Sequence, residues 1–130
     1  LFQAAFEQAA AGIALVDLAG NTLHANRRLG EIMGRSADEL RGLNLRSLTH
    51  QDDLDRALLD RRALISGELP SMSAEHRYRH SDGRWVWARV TAAVVRDANG
   101  APQYFVSVID DIQARKQAEA ERTLFSEALR

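Results

Sequence analysis

Residues 75–116 read EHRYRHSDGRWVWARVTAAVVRDANGAPQYFVSVIDDIQARK, and their pattern decides the fold. From Ser71 the side chains alternate with a period of two, the signature of strands. Met72, Ala74, His76, Tyr78 and His80 share one face; Ser73, Glu75, Arg77 and Arg79 share the other. Ser81–Gly83 supplies a turn. In the next strand Val86, Ala88, Val90, Ala92 and Val94 form one face, and Trp85, Trp87, Arg89, Thr91 and Ala93 form the opposite one. Asp97–Gly100 turns the chain again, Pro102 is tolerated at a strand start, and residues 103–110 form a third strand. That strand runs without a loop into a charged helical segment, so a change in the sheet can move something outside it.

The upstream chain supplies the remaining layers. Phe2, Ala5, Phe6, Ala9 and Ala10 lie at helical spacing, with Gly12 expected to end a short amphipathic helix. GIALVD and TLHA read as two strands of a hairpin around Gly20 and Asn21. Asn26 stands where a helix cap belongs, and Ser36 with Glu39 spells a capping box. Thr49 with Asp52 repeats that pattern before the longest internal helix, which Gly67 and Pro70 stop. Asp110 or Asp111 is placed to cap the final helix. Five antiparallel strands with helices grouped between them make an α+β domain. The boundaries read as a flanking helix at 1–11, a core at 12–111 and a connector helix at 112–130.

Composition narrows the function classes. Seventeen basic and eighteen acidic residues are mixed along the chain, leaving no electrostatic footprint for nucleic acid. No cysteine is present, which removes disulfides, thiolate metal sites, a thiol nucleophile and a cysteinyl photoadduct. The longest apolar run, residues 9–16, falls well short of the roughly 20 residues that span a bilayer, so direct membrane insertion is not expected. The sequence starts on Leu1 and ends within a helical pattern, and a cytoplasmic segment of a longer protein is expected.

The element order and local motifs resemble the PAS family of sensory domains, including the C-terminal PAC segment. The likeness rests on GIALVDLAGNTLHAN, GRSADELRG, the HQDD at 50–53, RHSDGRWVWARV, DANGAP and VIDDIQARKQAE, in order along nearly the whole chain. Gln51 stands where such domains often have Pro, and Gln113 where they usually have Thr. The resemblance implies a five-stranded antiparallel sheet cupping a pocket against helices packed on one face, flanked by terminal helices. It implies a homodimer formed through the outer sheet face and terminal helices. It also implies an attached output module after Arg130, such as a bacterial histidine kinase or diguanylate cyclase, and no catalysis in the domain itself.

Candidate residues follow from the face assignments. If the small side chains at Val86, Ala88, Val90 and Ala92 line the interior, they leave room for a small apolar ligand or for helix residues such as Leu54 and Leu58; Ile13 and Leu15 join the candidate pocket. Trp85 and Trp87 then point outward and need cover, from the Phe2/Phe6 helix or a second protomer, with Leu124 and Phe125 extending the candidate dimer surface. Asp111, Ile112 and Gln113 mark the relay from last strand to connector. His50, Asp52 and Asp53 read as a helix start rather than a metal or acid/base site. His76 and His80 lie about 13 Å apart on a strand, too far to share one metal ion, and read as partly exposed. Haem and flavin are not expected: residues 54–66 contain no histidine, and the reactive cysteine of the photosensor branch is absent. No nucleophile, base and orienting group converge, so no catalytic residue is assigned. The alternative to sensing is a ligand-free dimerisation or partner-docking module.

Overall fold

The computed structural model describes residues 1–130. Helix α1 (Phe2–Gln8) precedes strands β1 (Gly12–Val16) and β2 (Thr22–Ala25). Helices α2 (Arg27–Met33) and α3 (Ala37–Leu40), a 3₁₀ turn (Leu45–Leu48) and α4 (Gln51–Ser66) follow. The chain closes with β3 (Met72–Arg79), β4 (Trp85–Arg96), β5 (Pro102–Asp111) and α5 (Gln113–Ala128). The sheet order is β2-β1-β5-β4-β3 with every pair antiparallel. This is the expected α+β architecture.

The interior face carries Ala14 and Val16 of β1, Ala88, Val90 and Ala92 of β4, and Phe105 and Ile109 of β5, packed against Leu29, Met33 and Leu64 from the helices. Leu29 and Met33 are completely buried, and burying such a side chain contributes about 1.5–3 kcal/mol. Ile13 and Leu15 face the other way, because the interior positions of β1 are Gly12, Ala14 and Val16. Their assignment to the pocket is therefore corrected by strand alternation.

Asn26 ties the N-terminal part together. Its Oδ1 accepts from the Leu29 amide at 3.0 Å, capping α2, and from the Ile13 amide at 2.9 Å. Its Nδ2 donates to the Phe6 carbonyl at 2.9 Å and the Ala11 carbonyl at 3.0 Å. All side-chain hydrogen-bonding capacity is thus used inside the protein. This anchor sets α1 beside α2 rather than over the tryptophans. The helix ends at Ala9 in extended backbone, so Gly12 opens β1 instead of closing α1.

The capping pattern at Ser36 and Glu39 forms as read. The one at Thr49 and Asp52 does not: His50 is the cap of α4, its Nδ1 accepting from the Asp52 amide at 3.1 Å. The Thr49 hydroxyl is engaged by the Leu45 carbonyl at 2.9 Å, which removes it from that role.

Asn26→Ala strands two buried N–H donors and should lower stability by about 2–4 kcal/mol in urea titrations. Asn26→Asp keeps both acceptor bonds but loses both donor bonds, so hydrogen exchange should find α1 detached while α2 stays protected.

Candidate functional site

A cavity of about 120 Å³ lies between the sheet's interior face and α4. It extends from His76 and Tyr78 on β3, past Val90 and Ala92 on β4 and Phe105 on β5, to Val16 and Gly20 at the β1–β2 turn. On α4 the lining residues are Ala57, Asp60, Arg61 and Leu64, spaced three and four apart as one helix face requires. Leu54 and Leu58 are half-buried on the flank of that face and line no part of the cavity. Val86 and Ala88 are interior, at 2% and 0% exposure, but lie outside the cavity wall.

The polar lining was the least visible part of the site. Nothing in the sequence pattern assigns Asp60 or Arg61 a role, yet both line the cavity, and Asp60 is buried with both carboxylate oxygens accepting from Arg56 Nε at 3.1 Å. His76 is 3% exposed, not partly exposed, because its cross-strand partner is the buried Ala88. That register was the signal that would have placed it inside. His76 Nδ1 has no hydrogen-bond partner. Burial pushes the imidazole below its ordinary pKa, although the charges of Asp53 and Asp60 oppose the shift. Burial also raises the Tyr78 phenol.

The HQDD segment is structural. Asp53 accepts from the Arg77 amide at 2.8 Å and from its guanidinium at two 3.0 Å contacts, fastening α4 to β3. Burial alone would raise the Asp53 carboxyl; the Arg77 hydrogen bonds outweigh it and hold the group below the usual carboxylate range.

Outside the sheet, the tryptophans lie under charged side chains. Arg79 stands 4.3 Å over the Trp85 ring, with His50 4.6 Å away; Arg77 and Lys116 stand 4.7 and 4.6 Å from Trp87. These contacts take the place expected of the Phe2/Phe6 helix. Phe2 and Phe6 stack on each other at 6.0 Å, and Leu124 and Phe125 are each 67% exposed on α5. The six dimer candidates thus occupy three separate surfaces.

The junction is built at the same end of β4. Ile112, 9% exposed, is the single residue between β5 and α5, and its amide donates to the Trp87 carbonyl at 3.1 Å. The Trp87 amide donates in return to Gln113 Oε1 at 2.9 Å. A side chain thereby continues the strand ladder into the first residue of the helix. Asp111 Oδ1 accepts from the Gln113 amide at 2.8 Å, so it restrains the helix start from one position before the formal cap. Glu75 of β3 binds Lys116 Nζ at 2.7 Å and also Arg115, and these two partners hold its carboxyl down at about 2.

The PAS fold family matches residues 22–109, and the chain belongs to that family. The probable diguanylate cyclase DgcE of Escherichia coli (strain K12) is 41% identical over 118 residues, which cover 91% of this chain and 11% of that protein. The sensor histidine kinase TmoS of Ectopseudomonas mendocina is 28% identical over 118 residues, covering 91% of this chain and 12% of that protein. The chain therefore spans about a tenth of the length of these curated relatives. A crystal structure of a sensory box histidine kinase/response regulator from Burkholderia thailandensis E264 superposes with a TM-score of 0.77 at 25% identity, covering 98% of this chain and 96% of that one. The chain is thus a PAS domain related to domains of larger bacterial signalling proteins, and no helix in it is long and apolar enough to cross a membrane.

Because burial makes His76 bind a proton less readily in the folded than in the unfolded chain, its linkage opposes folding in acid. Stability should fall as pH drops below the ordinary histidine value near 6.5 and level off once the folded state also protonates. His76→Gln should flatten that portion of a melting-temperature profile.

Proposed function

We propose that this domain senses or relays a signal without catalysing a reaction, passing changes in the cavity or in protomer contact through β4 and β5 to α5. One observation carries the reading. The strand that lines the cavity with Val90 and Ala92 also pairs, through Trp87, with the first residues of α5. A ligand that binds two arrangements of this junction unequally shifts their populations, and one that binds them equally does nothing. An output module of the diguanylate cyclase or histidine kinase type, attached after α5 in a cytoplasmic protein, completes this reading; it is supported by relatives named for those two activities, of which the chain matches only about a tenth of the length.

A homodimer is part of this reading. Ile13, Leu15, Val106 and Val108 form adjacent cross-strand pairs on the outer sheet face and remain partly exposed. Leu124 and Phe125, with Leu129 at the C-cap, leave α5 with an unpartnered apolar surface that a parallel second helix would cover. The same surfaces favour the second reading, a docking module with no ligand.

Native mass spectrometry of the purified domain should find a small molecule bound at one copy per chain; a consistently empty cavity would overturn sensing in favour of docking. In light scattering, Leu15→Glu combined with Val106→Glu should halve the mass, whereas an unchanged mass rejects the outer-face dimer.

A further inference from the structure

The two ends of the cavity differ in chemistry. The strands nearest them, β1 and β3, lie three strand spacings apart, about 14 Å between backbones, and the side chains projecting inward make the cavity itself shorter. Toward β3 stand the buried His76 with its unpartnered Nδ1 and the buried Tyr78. Asp60 shares that end, its negative charge held by Arg56.

Toward the β1–β2 turn stand two half-buried arginines, Arg46 and Arg61. Arg61 Nε donates to the Leu18 carbonyl at 2.9 Å and Arg46 Nε to Asn44 Oδ1 at 3.2 Å. Each adds one terminal nitrogen bond, to the Leu18 and Ala19 carbonyl respectively. The other terminal nitrogen of each has no acceptor, and neither guanidinium lies within ion-pairing distance of a carboxylate. Burial first, and the neighbouring Arg46 charge second, disfavour the Arg61 cation; the Asp17 carboxylate, beyond ion-pairing distance, opposes them in part. Gly20 permits this crowding: its φ is +97°, and a Cβ there would meet Arg46 Nε at 3.1 Å. Two adjacent cations fixed on backbone carbonyls, with N–H groups to spare at a cavity wall, are matched by an anion.

Resting on the sensing reading, we propose that the cavity binds a small monocarboxylate, with its carboxylate on Arg46 and Arg61 and its apolar body along Leu64, Val90, Ala92 and Phe105 toward His76. The cavity volume corresponds to roughly 8–12 water-sized positions, and a ligand of about that many non-hydrogen atoms suits it. A second carboxylate at the inner end would meet Asp60, so a dicarboxylate of equal length is disfavoured.

Titration calorimetry with hexanoate, hexanamide and adipate tests this on the unaltered chain. Hexanoate should bind saturably at one site, and the amide and the diacid should bind about tenfold more weakly or worse. Arg61→Gln should cost about tenfold in hexanoate affinity, while Arg62→Gln, exposed on the same helix, should leave it unchanged. Equal affinity for hexanamide, or full hexanoate affinity in an Arg46→Gln, Arg61→Gln variant that melts like the parent, would overturn the assignment. If no acid binds yet native mass spectrometry finds a neutral molecule in the cavity, the carboxylate class fails and sensing stands. If nothing binds by either method, both fail.

Discussion

The main chain of Trp87 is the point on which this structure turns. Its carbonyl accepts from Ile112 and its amide donates to the Gln113 side chain, so the β4–β5 ladder does not end where β5 ends. A backbone donor left unpaired at a half-buried position carries a desolvation cost, and Gln113 removes it only when α5 starts at one place and in one direction. Glu75, reaching Lys116 and Arg115 from the edge strand, fixes a second point of the same helix. Lys116 in turn covers the Trp87 ring. Helix, strand and indole are therefore set by one group of contacts, although no α5 residue is buried.

This constraint gives β4 two audiences. Its inward side chains line the cavity and its outward ones lie beneath cations and the start of α5. Packed sheets transmit small displacements because their interiors are dense and incompressible. The cavity interrupts that density beside Val90 and Ala92, a few residues along the strand from Trp87. Under the sensing reading proposed above, occupying it changes the support of the strand that holds the helix. Beyond Glu119 α5 is solvent-exposed apart from its root, free to follow a changed starting direction.

The fold was legible because strand alternation, turn glycines and caps all pointed to the same order of elements. The interior face of β4 and the Asn26 cap could be read from pattern alone. The β1 face was misassigned because GIALV is apolar at every position, which leaves alternation without contrast; only pairing with β5 separates Ala14 from Ile13. The polar cavity lining was hidden for the opposite reason. Asp60 and Arg61 look like solvated helix residues until Arg56 and the Leu18 carbonyl are seen to satisfy them. His76 required the register with Ala88. Gln113 was visible as a departure at the junction, but its bond to the Trp87 amide needed three-dimensional geometry.

The proposed relay requires that the cavity and α5 communicate through β4. Hydrogen exchange at the Trp87 and Ile112 amides, compared between the native chain and Ala92→Leu, tests it most directly, since the larger side chain fills cavity space without touching the junction. Communication through β4 requires both amides to change protection together, by about tenfold, while amides of β2 and α2 do not. Changes confined to the residues around position 92, with Trp87 and Ile112 unaltered, would contradict it.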